Sequence, residues 1–169
     1  MIRKACLLWM DRTASAAAEM ALVLPLLLVI MFGSAEVGNY FMNEHGLIKS
    51  LRDGARYAAR QDFSNYPDCA TVSAALQNST KDVVMTGYLS GGTGLLTPII
   101  SASDITITTR CAASAGGQDM KGIYDDHPAG AQVVKVSASV PYRSLFGALG
   151  FTAVNYNLNA ASEAAVSGL

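Results

Sequence analysis

The sequence has few charged residues. Only 15% of its 169 residues are Asp, Glu, Lys or Arg, whereas a typical soluble domain has about 25%. The formal net charge is −1 at pH 7, so no basic surface of the kind that binds nucleic acid is expected. Hydrophobic residues make up 51%. This excludes a mainly disordered chain, because disorder requires low hydrophobicity and high net charge.

Histidine and cysteine are also scarce, with two and three residues in the chain. There is no CxxC pair, so we expect no zinc site. His127 follows Asp125 and Asp126 in a Gly-rich loop, residues 116–130, whose carboxylates could bind a cation. A solvated loop is the simpler interpretation. With no catalytic motif in the sequence, we expect neither an enzyme nor a bound cofactor.

The apolar residues are concentrated near the N-terminus. Residues 20–35 hold no charge, and extending the segment back to Thr13 gives 23 residues with one charge, Glu19. A bilayer span needs about 20 predominantly apolar residues. The charged residues before this segment have a balance of +2; they are Arg3, Lys4, Asp11 and Arg12. Because basic residues stay on the cytoplasmic side, we expect the N-terminus inside and the rest of the chain outside.

The carboxylate within this apolar segment argues against two simple interpretations. One is a cleaved secretory signal with Gly33-Ser34-Ala35 as the cleavage site, and the other is a plain membrane anchor. Neither requires Glu19. A carboxylate in lipid costs up to about 3 kcal/mol and usually marks a function.

The helical pattern continues beyond the apolar segment. Residues at three- and four-residue steps form an amphipathic stripe that contains one acid: Val37, Tyr40, Phe41, Glu44, Ile48, Leu51, Ala55 and Ala58. This predicts one helix from Ser15 to Arg60, about 69 Å long at about 1.5 Å per residue. A helix half in lipid and half outside is what a fibre-forming subunit requires. Pro25 removes one backbone donor and should kink the lipid half.

Three blocks in this helix resemble the TadE-like family, the minor pseudopilins of the tight adherence (Tad, Flp, type IVc) pilus system. They are ASAAAEMALVLPLLL at residues 14–28, FGSAEVG at 32–38 and LRDGARYAA at 51–59. The resemblance implies a structural protein involved in pilus biogenesis and surface adherence. It also implies four partners: a prepilin peptidase, other pilins and pseudopilins of the Tad system, an inner-membrane assembly platform and the lipid bilayer.

The resemblance further implies a cleavage site. Prepilin peptidases cut at the cytoplasmic face so that a Glu becomes the fifth mature residue, which here places the cut between Ala14 and Ser15. Ala14 stands where the family often has Gly, and Met20 where an aromatic residue often follows the Glu. The helix would be the assembly surface, with the candidate residues Pro25, Gly33, Glu36, Gly38 and Gly54.

The residues around the cut support a role for Glu19 independently of the resemblance. Cleavage would create an α-ammonium group at Ser15, four residues before Glu19 and on the same helix face. This amine, or that of a neighbouring subunit, could neutralise the carboxylate. The alternative is a Glu at the membrane edge that reaches the lipid headgroups.

The remainder of the chain reads as an α+β, pilin-like domain. We predict a helix over Cys69–Leu89, and alternation of apolar and polar residues predicts strands over 105–109, 134–142 and 154–160. Residues 162–169 are expected to extend the last strand. The strands should form an antiparallel meander that the two helices cover on one face. Cys69 and Cys111 would pair in an oxidising periplasm, whereas two buried free thiols are the alternative.

The sequence thus predicts three segments. Residues 1–14 would be a cytoplasmic leader, residues 15–60 the long helix with its membrane span at about 15–35, and residues 61–169 a periplasmic domain that becomes pilus-associated after assembly. The main alternative is a periplasmic binding module or enzyme that is membrane-anchored or secreted by a signal peptide. A pseudopilin of the general secretion system is disfavoured, because the leader pattern and aromatic start of those chains are missing.

Overall fold

The first element of the described chain is a long helix, α1, which runs from Arg12 to Ala59. The computed structural model describes residues 12–90, 92, 100–112, 114–115, 118–119, 121–127, 129–148, 150 and 156–168. The helix continues through Pro25. It ends in tighter turns, in which the backbone N–H groups of Arg60 and Gln61 bond to the carbonyls of Tyr57 and Ala58.

The buried face of α1 differs in part from the predicted stripe. Leu47, Leu51, Ala55 and Ala58 are buried, whereas Phe41 is 51% exposed. The compact domain comprises Tyr40–Leu169. Residues of the predicted stripe can therefore pack into its core only from Tyr40 onward. Phe41 is one position further round the helix than Tyr40, whose ring packs edge-on against Tyr142 at a centroid distance of 5.4 Å.

The second helix, α2, spans Ala74–Thr86 and is shorter than the predicted Cys69–Leu89. Its start is fixed by Ser73, whose hydroxyl accepts a hydrogen bond from the Leu76 N–H as an N-cap. Its end is fixed by Gly87, which adopts a left-handed conformation with φ of 78°. Its buried side chains are Leu76, Thr80, Val83 and Val84.

The residues described after α2 include five strands: β1 (Ile105–Ala112), β2 (Ser114–Ala115), β3 (Gln118–Asp119), β4 (Ala131–Pro141) and β5 (Asn157–Ala165). A one-turn helix, α3, spans Leu145–Ala148. β1, β4 and β5 form an antiparallel sheet in the order β1-β4-β5, which confirms the predicted meander. The short β2–β3 ladder in the connection was not expected. The predicted third strand begins in residues 154–155, which lie outside the described residues, and β5 extends to Ala165.

One face of the sheet is buried and the other is exposed. On β4 the residues Val134, Val136 and Val140 are buried, and Lys135 and Ser139, which alternate with them, are exposed. The buried face packs on α1 and α2 in two apolar clusters. This arrangement confirms the α+β, pilin-like fold with both helices on one side of the sheet.

The segment after β5 returns to the end of α1. The Ser167 N–H and hydroxyl both donate to the Ala59 carbonyl, at 2.7 Å and 3.2 Å. Gly168, with φ of 59°, lies so close to the Phe63 ring that a Cβ there would overlap it. These contacts satisfy a carbonyl in the last turn of α1, which has no partner within the helix.

Candidate functional site

The N-terminal part of α1 carries most of the residues predicted to act in membrane insertion, processing and assembly. The side chains of residues 15–32 are all exposed, with Leu22 exposed by 80%. Because large apolar residues occupy consecutive positions, they surround the helix on every side. Such a helix requires lipid or protein neighbours. In the described part of the chain, Ser15–Ala59 is the one helix long and apolar enough to cross a membrane.

Glu19 is the one charged side chain between Ser15 and Ala35, and it leans back toward the start of the helix. The Ser15 hydroxyl donates to Glu19 Oε1 at 3.5 Å across one helical turn. This direction follows from the tilt of helical side chains toward the N-terminus. Among the side chains described from Ser15 onward, no cation lies within ion-pair distance of the Glu19 carboxylate.

The predicted cleavage point lies in the helical part of the described chain. Ala14 and Ser15 both belong to α1 (Arg12–Ala59), so their peptide bond is helical in the uncleaved chain. The predicted leader extends from residue 1 to residue 14, and its residues 1–11 lie outside the described residues.

Two of the candidate assembly glycines are open to approach from outside. A Cβ added to Gly33 or Gly38 would meet no atom within 4 Å. Pro25 lies between Leu24 and Leu26, both exposed, and its ring leaves the Ala21 carbonyl without its usual helical donor. Glu36 is half-buried. These positions therefore lie on a part of α1 with accessible backbone and apolar side chains.

Gly54 has a different environment from the other candidate glycines. It is buried, and a Cβ there would overlap the Val84 side chain and lie 3.5 Å from Thr80 Cγ2. The structure therefore places Gly54 at the contact between α1 and α2, within the domain, and not on the exposed surface of the helix. Small residues permit helices to approach closely, and here the close approach is intramolecular.

A disulfide joins Cys69 to Cys111, with a Cα–Cα distance of 5.1 Å. Cys69 lies in the loop before α2, not in the helix as predicted, and Cys111 lies near the end of β1. The same loop is ordered by Asp68, whose Oδ1 accepts hydrogen bonds from the N–H groups of Ala70 and Thr71. Hydrogen bonds from Thr71 and Ala70 hold the pKa of Asp68 below its usual value.

The exposed face of the sheet carries a small charge cluster. Glu163 on β5 lies 3.0 Å from Arg110 on β1 and 3.8 Å from Lys135 on β4. The Arg110 hydrogen bond and the two nearby cations lower the pKa of the Glu163 carboxyl. All three side chains are exposed, so water screens the interaction.

Several residues with defined structural roles were missed in the sequence. Gln132 is buried in β4, and Tyr66 is buried with its hydroxyl donating to the Ala58 carbonyl at 2.6 Å. Burial, with a smaller effect of Tyr57, raises the pKa of Tyr66. Gln132 shares the alternation of Val134 and Val136, and this phase is a signal that it faces the core. For Tyr66 the sequence contains no comparable signal.

The Gly-rich loop packs in part against the domain. The Tyr124 hydroxyl donates to the Val166 carbonyl at 2.6 Å, and the His127 ring lies 4.2 Å from the Phe63 ring. Ile123, Asp125 and Asp126 are exposed. Residues 116, 117, 120 and 128 lie outside the described residues. Among the residues described, no group of three His, Cys, Asp or Glu side chains is placed to hold a metal ion.

Comparison with protein families identifies the N-terminal helix. Residues 14–56 match the model of the family described as TadE-like protein, which confirms the resemblance seen in the three sequence blocks. The match covers most of α1 and ends before α2. Comparisons with curated proteins and with solved structures gave no match. The match relates the chain to the components of Tad pili.

Proposed function

We propose that this chain, TadE-like over residues 14–56, is a minor pseudopilin of a Tad pilus. It is inserted in the inner membrane with its N-terminus in the cytoplasm and is cleaved by a prepilin peptidase between Ala14 and Ser15. It then joins the pilus through α1, beside other pilins and pseudopilins and with the inner-membrane assembly platform. The domain after α1 lies in the periplasm and then on the pilus.

The observation that carries this proposal is Glu19 within the apolar segment 13–35 of α1, which holds no other charge. An unpaired carboxylate costs about 2.5–3.5 kcal/mol at the middle of a membrane helix, and less near its end. Membrane insertion alone provides no reason to keep it. A cation at the start of the mature chain does provide one, because the two charges would neutralise each other in a medium of low dielectric constant.

The geometry of the first turn fits this pairing. Ser15 and Glu19 are separated by about 6 Å along the helix axis, since each residue adds about 1.5 Å. The Glu19 side chain already reaches back to the Ser15 hydroxyl at 3.5 Å. An ammonium group at Ser15, on the same subunit or on a neighbour, is therefore within reach of the carboxylate. Pairing between subunits would favour one axial register.

The exposed apolar surface supplies the driving force for assembly. In the membrane it contacts lipid, and in a fibre it would contact the helices of other subunits. Gly33 and Gly38 leave space for such helices to approach, since no atom lies within 4 Å of a Cβ placed there. The polar face of the sheet, with Lys135 and Ser139, is suited to water and would face outward.

The mature N-terminus is the direct test. The protein purified from membranes of cells that contain the Tad system should begin at Ser15 when its intact mass and its N-terminal peptide are measured. A start at Met1 would indicate a plain anchor, and a start at Glu36 a cleaved secretory signal. Either result would contradict the proposal and favour a periplasmic binding module or enzyme.

Assembly is tested by removing the carboxylate. Glu19→Ala should leave the protein in the membrane and abolish its recovery in sheared pili. Glu163→Ala is the matched control, because Glu163 is an exposed glutamate on the domain and should be recovered as the wild type is. Recovery of Glu19→Ala at the wild-type level would overturn the role assigned to Glu19, whereas its membrane insertion shows that the chain was made.

A further inference from the structure

Two exposed side chains with large apolar surfaces lie in the connection between β4 and β5. Leu145, in α3, is 44% exposed, and Tyr156, just before β5, is 61% exposed. The turn that carries Leu145 is ordered by Ser144, whose hydroxyl accepts a hydrogen bond from the Gly147 N–H at 2.8 Å. The Tyr156 carbonyl accepts from the Tyr142 N–H at 2.7 Å, just after the end of β4. Local hydrogen bonds therefore hold both side chains on the surface of the domain.

The same end of the domain holds the residue with which the domain begins. Tyr40 is the first residue of the compact domain, and its ring packs edge-on against the Tyr142 ring at a centroid distance of 5.4 Å. Tyr40 follows Ala35, the end of the predicted membrane span, by five residues. Five residues reach at most about 18 Å in any conformation. If α1 spans the bilayer, chain connectivity alone keeps this end of the domain close to the membrane surface.

The residue types at this end suit the boundary between water and lipid. Three tyrosines lie there, Tyr40, Tyr142 and Tyr156, and tyrosine is enriched at membrane interfaces because its ring is apolar and its hydroxyl is polar. Residues 142–156 contain no carboxylate and one charged residue, Arg143. Arg143 is exposed, and its positive charge is of the sign that anionic lipid headgroups attract. Neither the apolar nor the charged groups of this connection oppose contact with a bilayer.

Ile123 is an apolar residue of similar exposure at the opposite end of the domain. It is 57% exposed, and it precedes Tyr124, whose hydroxyl donates to the Val166 carbonyl at 2.6 Å. Val166 packs in the same apolar cluster as Ala59, the last residue of α1. Ala59 lies about 28 Å from Tyr40 along the helix axis. Ile123 therefore provides an internal reference for an exposed apolar side chain that is far from the residue where the domain begins.

We propose that the β4–β5 connection makes a second, peripheral contact with the bilayer, in which Leu145 and Tyr156 enter the headgroup region. This contact rests on the proposed insertion of α1 in the membrane. Removal of the two apolar surfaces from water favours it, and interfacial elements of this kind bury their apolar face at the headgroup boundary. The contact would form while the subunit is stored in the membrane and would be lost when the subunit leaves the bilayer for a pilus.

Lipid contact is tested with the full-length chain reconstituted in vesicles of phosphatidylcholine and phosphatidylglycerol. Each probe is a single tryptophan in a Trp9→Phe background, because Trp9 is the one native tryptophan. Fluorescence is compared between ordinary vesicles and vesicles whose phosphatidylcholine is brominated near the top of its acyl chains. Bromine quenches tryptophan only at short range, so the loss of fluorescence measures contact of that side chain with lipid.

Probes at the two ends of the domain should behave differently. Leu145→Trp and Tyr156→Trp should each be quenched at least about threefold more than Ile123→Trp, because interfacial side chains lie about 5–10 Å into the boundary between headgroups and acyl chains. All three positions are exposed, so the larger ring can be accommodated, and either of the first two probes suffices if the other variant does not fold. Equal quenching at both ends would overturn the proposal and favour a protein partner for the β4–β5 connection.

A probe in the apolar segment separates this proposal from the proposed function. Leu22→Trp should be quenched strongly if α1 is inserted in the bilayer. Quenching at Leu22→Trp with none at Leu145→Trp would overturn the peripheral contact and leave the insertion of α1 intact. No quenching at Leu22→Trp would contradict the insertion and the peripheral contact together.

A second substitution tests whether the two side chains enter lipid together. Leu145→Ser, added to the Tyr156→Trp probe, should reduce its quenching about twofold, because interfacial binding scales with the apolar area that is buried. Ile123→Ser in the same probe is the matched control and should leave the quenching unchanged. Equal effects of the two serine variants would show that Leu145 takes no part in the contact.

Discussion

Gly54 on α1 faces Val84 on α2, at a distance that leaves no room for a Cβ between them. The last turns of α1 therefore pack closely against α2. Gly54 lies within the family match over residues 14–56. Its contact with Val84 is nevertheless inside the domain.

Replacing Gly54 with alanine should destabilise the domain. The helix gains about 1 kcal/mol in propensity, but the added methyl must displace Val84 in a packed core, at a cost of about 1–3 kcal/mol. Chemical unfolding in detergent should show a lower midpoint for Gly54→Ala. Gly38→Ala is the control, because nothing lies within 4 Å of the added Cβ, and it should be neutral or slightly stabilising. A stabilised Gly54→Ala would contradict the close contact.

Loss of the disulfide should cost roughly 4 kcal/mol of folding free energy. Cys69 and Cys111 are 42 positions apart, and a loop of about 43 residues gives this value in the chain-entropy model. The double variant Cys69→Ala, Cys111→Ala and the reduced wild type should unfold at similar denaturant concentrations. The double variant should not respond to reductant. If reductant did change the unfolding midpoint of the double variant, another thiol would be involved.

Tyr66 should make the domain sensitive to alkali. Burial raises its pKa above the ordinary value of 10.0, so its stabilising effect is complete below that value. The effect is lost as the pH rises from about 10 toward the folded-state pKa, because the unfolded chain ionises first. Tyr66→Phe should lose about 1 kcal/mol at neutral pH through the missing bond to the Ala58 carbonyl.

The measurement for Tyr66 is the unfolding free energy as a function of pH. The wild type should decline above about pH 10 more steeply than Tyr66→Phe does. Tyr156→Phe, a change at an exposed tyrosine, should follow the wild type. Parallel curves for all three proteins would show that Tyr66 ionises equally in the folded and unfolded chains.

Glu163 should contribute to stability at neutral pH and lose that contribution in acid. Its pKa is lowered in the folded state, so the contribution is present above the unfolded value of about 4.3 and falls as the pH drops through the folded-state value. In Glu163→Gln this part of the acid dependence should disappear. High salt should reduce the difference in unfolding free energy between the wild type and Glu163→Gln, since the pair with Arg110 is exposed.

The sequence was sufficient for elements with strong periodicity. The alternation of Val134, Val136 and Val140 with polar residues predicted β4 and its buried face, and the apolar run around Leu22 predicted a continuous helix. Three- and four-residue steps did not determine which face of α1 is buried, because several overlapping stripes fit them. The sheet and α2 select the face of Leu47 and Leu51.

Contacts between distant segments could not be predicted. The return of Ser167 to Ala59 and the bond between Gln132 and the Tyr66 carbonyl depend on how the elements pack. The start of α2, in contrast, could have been predicted from local sequence, because Ser73 is a good N-cap and Asp68 favours a turn before it. Gly54 shows the limit of composition: a glycine in a helix indicates close approach, but not which neighbour approaches.

The disulfide also has a mechanical consequence. The chain between Cys69 and Cys111 contains the whole of α2, and the covalent bond carries tension past it. When the domain is pulled along its chain, these residues cannot be drawn out until the bond is reduced. With at most about 3.4 Å per residue in an extended chain, roughly 140 Å of contour length is withheld from stretching. An oxidised domain that is fully unfolded by force would therefore extend by roughly 140 Å less than a reduced one.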